Sequence, residues 1–480
     1  MHPVLECNNI LQAIYSALEA PGRLQTLTAL AITCQALSEP ALDAIWEDLS
    51  DLHCILELFP QDLFVEPERR LARPILPTDW IRPRLYLSRV KTLELEWEDR
   101  VEVALKAMDP FCPNGRLLPN LCSLGCCYIP WDDLTPLRVL LHPQLKEFSV
   151  FFTPSITNLS LLSALPLMCP NLTSINLWLE GGDYSTEAAA IISGVVPALE
   201  RLESLCLDVR VRALELGLLP NLTDLRLLGS MVAGSFPHLR YLAIQDVDAV
   251  SLIEMFRSVT DIDPVHLILG LSPLTTTSQM AELVCALPSV ASPTSLQTLR
   301  LHPHEIMRMP ENMMTADTLR ELSFFRGLKT VYINWSFRPH LDDTILESLA
   351  ASWPHLTNLE LREPPAEDNI NFTLKALLSL ARHCPHLRRF YLVVDVREVP
   401  ELPRIPPQGA LKSMLVDLSP IQNAAKVARY LSGIFPDVQH IGSRRSEESH
   451  EQNPLWGQVL ELLPESVAVR KEERGQVRAG

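Results

Sequence analysis

The chain has 480 residues, 47% of them hydrophobic and 21% charged, with a formal net charge of −17. That is ample apolar material for a large core, and the acidic balance argues against nucleic acid or an anionic membrane as the main partner, because phosphate contact needs clustered Lys and Arg. Eleven cysteines without framework spacing, behind an N-terminus with no basic region and no long apolar run, point to reduced thiols inside a cell, in the cytoplasm or nucleus.

Residues 1–50 read as a small helical domain. Ile10, Leu11, Ile14, Tyr15 and Leu18 share one face of a predicted helix, with Asn8 or Asn9 as its cap and Pro21-Gly22 as its stop. Leu24 to Ala31 predicts a second short helix. Ser38-Glu39-Pro40 predicts the start of a third, with Ser38 as N-cap and Pro40 in the first turn. Leu42, Ile45, Trp46 and Leu49 then fall at i, i+3, i+4 and i+7. Three short amphipathic helices make a marginal core alone, so a partner or the following domain is expected to complete them. Residues 51–88 read as a helical or irregular connector.

From residue 89 to 442 a phrase returns: Pro, any residue, Leu, two residues, then two apolar residues one apart. It is clearest as Pro170-Asn171-Leu172-Thr173-Ser174-Ile175-Asn176-Leu177. Further copies start at Pro143, Pro220, Pro237, Pro354 and Pro385, an early degenerate copy is Val90, Leu93 and Leu95, and a late one is Pro436, Val438 and Ile441. Between Pro237 and Pro354 the phrase survives only without its Pro, at Leu296, Leu299 and Leu301 and at Leu319 and Leu322. The last two apolar residues alternate onto one face of a strand. One such strand cannot bury its edge alone, so stacked parallel copies are expected. Pro119 to Pro143 is 24 residues, and Pro143 to Pro170 and Pro170 to Pro197 are 27 each, although Pro220 to Pro237 is only 17. Helical periodicity lies between the phrases, at 159–168, 187–192, 252–259, 280–287, 343–351 and 372–384. The pattern resembles the longer, helix-bearing leucine-rich repeats, whose period is roughly 20–29 residues. The expected fold is α/β: a short helical unit followed by a curved leucine-rich-repeat solenoid of parallel strand–helix repeats, about eight to twelve in number.

The helical unit carries a second resemblance. Pro3 and Leu5, Ile10-Leu11 with Ile14-Tyr15 and Leu18, Leu30 with Cys34 and Leu37, and Leu42 with Trp46 and Leu49 follow the order of the F-box motif. The wording from Thr33 to Trp46 is similar to F-box-like proteins abundant in mushroom-forming fungi, which commonly carry degenerate leucine-rich repeats. The resemblance implies a non-catalytic substrate-recognition subunit of a Skp–cullin–F-box ubiquitin ligase. Pro3, Leu5, Ile10, Leu11, Ile14, Tyr15, Leu18, Leu30, Cys34, Leu37 and Trp46 would meet the Skp-type adaptor, and through it a cullin. The solenoid would hold an unknown protein substrate. The candidate contacts there are the residues between the apolar positions: Thr173, Asn176, Trp178, Glu203, Asp208, Asp224, Arg226, Arg240, Tyr241, Arg300, Asn358, Glu360, Arg362, Arg388 and Tyr391. The alternative is an interaction scaffold with no link to ubiquitin, its helical unit kept as the solenoid's cap.

No phosphate-binding, nucleophile-elbow or zinc-protease motif occurs, so no enzyme, cofactor or metal is expected. Cys112, Cys122, Cys126 and Cys127 lack paired zinc spacing, and His302-Pro303-His304-Glu305 lacks a third ligand nearby. Asn158, Asn171, Asn221, Asn334 and Asn371 sit in glycosylation sequons that read as accidents of the phrase. The charge-free run from Phe148 to Leu179 is broken by Pro and polar residues and reads as solenoid core, not a membrane span. A Pro-rich insertion is expected at 399–409, and a charged tail at 443–480 with a capping helix at 455–463.

Overall fold

At four copies of the repeated phrase the Pro marks the place where a helix stops. Cys169, Trp353, Cys384 and Phe435 close helices with φ between −133° and −116° and ψ between 60° and 73°. A Pro follows each of them. Proline has no N–H to offer the helix and drives the residue before it out of the helical region. That preceding residue is also a core position: Leu118, His142, Cys169, Trp353, Cys384 and Phe435 are all buried. The Asn after Pro ties neighbouring repeats together. Asn120, Asn171 and Asn221 donate Nδ2–H to the carbonyls of Ser88, Pro143 and Glu200 at 2.6, 2.7 and 2.8 Å.

The computed structural model describes residues 10–11, 14–15, 17–18, 22–65, 70–95, 99–112, 115–180, 185–272, 274–303, 313–334, 336–337, 341–362, 372–402, 405–416, 419–442 and 454–479. The chain divides into two units, Met1–Leu222 and Thr223–Gly480. Each is an α/β leucine-rich-repeat stack of parallel strands.

The first unit opens with helices α1 (Arg23–Ala31) and α2 (Gln35–Trp46). Its main-sheet strands are β1 (Asp48–Leu49), β2 (Thr92–Glu94), β3 (Ser123–Trp131), β4 (Glu147–Phe152), β5 (Ser174–Leu179) and β6 (Ser204–Leu218), paired in that order. The second unit contributes β7 (Asp224–Ser235), β8 (Tyr241–Val247), β9 (His266–Leu271), β10 (Thr298–Pro303), β11 (Thr330–Asn334), β12 (Asn358–Arg362), β13 (Arg389–Tyr391), β14 (Ser413–Leu415) and β15 (His440–Gly442), again neighbour on neighbour.

One hydrogen-bond device fixes the register throughout. The carbonyls of Glu47, Lys91, Cys122, Lys146 and Thr173 in the first unit each accept two successive N–H groups where the next strand begins. Thr223, Arg240, Val265, Gln297, Lys329, Thr357, Arg388 and Lys412 do the same in the second. A slip of one residue would turn every apolar side chain to solvent, so this double acceptor protects the core face. Ser155, Asp248, Thr276, Thr315, Asp342, Thr373 and Asn423 cap the following helices through their side chains.

The structure departs from the sequence expectations in several places. Helix α2 starts at Gln35 behind an extended Cys34, not at Ser38, and Pro40 lies inside it. Burial of Pro40 and Ala41 holds the turn together, although Pro40 lacks the N–H that would bond the Ala36 carbonyl. Leu49 belongs to β1, so the sheet begins within the expected helical domain and well before residue 89. The main sheet has sixteen strands among the described residues, fifteen along one path and Val259–Thr260 paired beside β7, where eight to twelve repeats were expected. The extra ones lack the Pro: Leu267 and Leu269 in β9, Val331 and Ile333 in β11. Conversely, Leu319 lies on the helix Ala316–Glu321 and Leu322 on the 3-10 turn after it, not in a strand. The short interval from Pro220 to Pro237 contains the 12-residue β7 and no helix. The last helix runs Pro454–Ala479, longer than 455–463. It is anchored by buried Trp456, Val459 and Leu463, and Trp456 Nε1–H donates to the Ser419 carbonyl at 2.9 Å. The Pro-rich insertion is stitched in by Gln408, whose amide donates to the carbonyls of Cys384 and Leu387 at 3.1 and 2.8 Å.

His142 sits one residue before Pro143 and is almost fully buried. Its Nε2–H donates to the Leu118 carbonyl at 2.9 Å, while Nδ1 accepts from the Gln144 N–H at 3.2 Å. Burial holds its pKa below the usual 6.5, and Arg116 adds to this; the Leu118 bond pulls partly the other way. The unfolded chain therefore binds a proton that the folded chain refuses. Stability from this group is complete above pH 6.5 and is lost as the pH falls through the folded value. Urea midpoints at pH 7.5 and about 5.5 should diverge in the native chain and converge partly in His142→Gln.

Candidate functional site

The helical unit has an inner and an outer face. Leu11, Tyr15, Leu27 and Ala41 form its buried centre, with Leu18, Leu30, Leu37 and Ile45 packed around them. Leu11 and Tyr15, expected at a partner surface, are thus core residues, because they are the positions that close the helices on one another. Burial raises the Tyr15 phenol pKa, and Cys34 adds to the rise. Ile10 and Ile14, one turn apart, stay 38% and 44% exposed, and Cys34 is exposed as well. Trp46 is committed elsewhere: its ring lies 4.9 Å from that of Tyr86. Arg89 reaches back to α2, bonding Glu39 at 2.5 Å and also Asp43. Pro3 and Leu5 lie outside the described residues.

In the first unit's sheet, Asn176 aligns with Ser149 and Cys206, and its Nδ2–H donates to Ser149 Oγ at 2.8 Å. Trp178 aligns with Phe151 and Asp208. Thr173 and Glu203 occupy the entry position just before β5 and β6. Sequence reasoning passed over Glu94 and Glu147 on the same face. Burial, and then Glu147, raise the Glu94 pKa. Glu94 lies over Gly125, where an added Cβ would come within 1.9 Å of the carboxylate.

The second unit's sheet gathers its candidates into two groups. Arg226 makes a two-point contact with Asp224 at 3.0 and 3.0 Å and lies 4.7 Å above the Tyr241 ring. Arg362 bonds Glu360 at 2.8 Å and lies over both Tyr332 and Tyr391, at 5.0 and 5.1 Å. Arg300 aligns with Ile268 and Tyr332. Asn358 donates to Thr330 Oγ1 at 3.4 Å. Arg240 and Arg388 occupy the strand-entry position, where their backbone is the double acceptor and their side chains are exposed. Tyr332 was missed because its repeat opens with Arg326-Gly327-Leu328 in place of Pro-x-Leu. The spacing Leu328, Val331, Ile333 was the available signal.

The rejected chemistry can be placed. The His302 ring meets the Tyr332 edge at 6.2 Å, and His304 and Glu305 lie outside the described residues. Cys112 and Cys126 are buried, and burial pushes the Cys112 thiol up to about 12. Among the described residues no group of His, Cys, Asp and Glu is arranged to hold a metal ion. Nor is any described helix long and apolar enough to cross a membrane. Asn158 is wholly buried, so that sequon offers no acceptor in the folded chain.

No family model matches the chain, and no curated protein matches it. Similar solved structures include the leucine-rich repeat-containing protein LegL7 from Legionella pneumophila, at 13% identity and TM-score 0.30, covering 78% of this chain and 97% of that one. The Rad7 and Elc1 complex in yeast gives 14% identity and TM-score 0.37, covering 87% and 92%. The LRIM1/APL1C complex gives 13% and 0.35, covering 88% and 73%. At these scores they supply no argument about partner or activity.

Proposed function

We propose that the chain is a non-catalytic substrate-recognition subunit of a Skp–cullin–F-box type ubiquitin ligase. The observation that carries this reading is the pair Ile10 and Ile14, left exposed on a helical unit whose opposite side is closed by Leu11, Tyr15, Leu27 and Ala41. Exposed apolar residues one helical turn apart suit a hydrophobic partner groove. Pro3, Leu5 and Cys34 would extend that contact, and the strand faces would hold the substrate. Ile10→Asp with Ile14→Asp should abolish capture of a purified Skp adaptor while leaving the melting temperature unchanged. Leu18 is unsuited to the test because it is partly buried.

A second reading also has an observation behind it. Trp46 on Tyr86, Arg89 on Glu39 and Asp43, and the Glu47 carbonyl accepting from Lys91 and Thr92 support a reading of the helical unit as a cap for the solenoid. If the native chain fails to bind the adaptor at micromolar concentration, the scaffold reading replaces the first.

A further inference from the structure

Between β10 and β14 the sheet face is basic, in a chain whose net charge is −17. Arg300 and Arg389 point outward from their strands, while Lys329, Arg388 and Lys412 stand at the strand entries, and all five are exposed. Among the described residues, Arg300, Lys329, Arg388 and Arg389 have no carboxylate partner, and Lys412 has only Asp437 at 3.9 Å. The one carboxylate in the same rows, Glu360, is already bonded to Arg362. Beside these cations, the Arg362 guanidinium lies over the half-buried Tyr332 ring and the buried Tyr391 ring. Exposed cations grouped in this way repel one another.

We propose that this face binds a carboxylate-rich peptide segment, and that the substrate of the solenoid carries such a segment. The inference rests on reading the repeats as the substrate-binding part. In-register parallel strands lie about 4.8 Å apart, so five of them span about 19 Å. An extended peptide covers that distance with about six residues, running across the strands. Its carboxylates would pair with the entry and outward cations, and an aromatic or aliphatic side chain would lie against Arg362 and the half-buried Tyr332. A nucleic acid is disfavoured by the acidic remainder of the chain, which would repel a long polyanion.

The test uses the full chain and a fluorescein-labelled eight-residue peptide of alternating Asp and Glu around one Tyr, read by fluorescence polarisation at low salt. Its Asn/Gln counterpart, a phosphoserine peptide and a single-stranded oligonucleotide of equal charge serve as competitors. We expect binding that weakens with salt, is absent for the neutral peptide, and falls at least tenfold in Arg388→Glu with Arg389→Glu. The control Lys375→Glu with Arg382→Glu reverses two exposed charges on the helix Leu374–His383 and should leave binding unchanged. Equal losses in both variants would reduce the effect to overall charge and overturn the site. Absence of binding, or tighter binding of the phosphopeptide or the oligonucleotide than of the carboxylate peptide, would overturn the assignment of ligand. Because no adaptor is present, each of these results is independent of adaptor capture, which tests the ligase reading separately.

Discussion

Asn158→Leu should lower the stability of the first unit by about 3 kcal/mol, although the replacement keeps the number and branching of the side-chain heavy atoms. Asn158 is wholly buried at the start of the helix Ile156–Ser163. Its Oδ1 accepts from the Leu134 N–H at 2.8 Å, and its Nδ2 donates to the Asp132 and Thr153 carbonyls at 3.0 and 2.8 Å. Leucine leaves the Leu134 N–H buried without an acceptor, and a stranded donor costs more than the mean net worth of a hydrogen bond. Urea unfolding of the full chain, followed by circular dichroism, measures the loss. A change below about 1 kcal/mol would mean that water takes over the bonds of the side chain.

Trp353→Ala should cost about 3–5 kcal/mol in the second unit. Trp353 is completely buried at the end of the helix Asp343–Ser352, and its Nε1–H donates to the Leu322 carbonyl at 3.3 Å. Its own carbonyl receives the Cys384 thiol at 3.7 Å, so the residue links three consecutive repeats. Alanine opens a cavity that three stacked repeats cannot jointly collapse. Trp353→Phe should cost less, about 1–2 kcal/mol, because the ring volume is mostly retained while the Leu322 carbonyl loses its donor. Thermal melts of the two variants separate the volume effect from the hydrogen bond.

The repeat phrase made the strands legible wherever its Pro was present. Pro is local chemistry: it ends the helix and fixes where the next strand can begin, and Leu172, Ile175 and Leu177 then fall inward by alternation alone. Where Arg326 stands in its place, the same alternation was hidden. A Cβ at Gly327 would sit 2.3 Å from the Thr294 carbonyl oxygen, so that turn requires glycine for close approach and carries no Pro signal. The N-terminal helices were readable as amphipathic, but their two sides were not. Periodicity gives one apolar stripe, and Ile10, Leu11, Ile14 and Tyr15 all fit it. Only packing against Leu27 and Ala41 separates buried Leu11 and Tyr15 from exposed Ile10 and Ile14.

The sequence by itself determined that this is a repeat protein of parallel strands and helices, because the period of apolar residues and the placement of Pro are properties of neighbours along the chain. It also showed which positions alternate outward in the copies that keep the Pro. Which of those positions meet was decided by the tertiary structure. Tyr332, Arg362 and Tyr391 are 30 and 29 residues apart in sequence, and they converge only because strand register sets each repeat on the last. Register is fixed by one carbonyl taking two N–H groups from the next repeat, a long-range bond that no local pattern records.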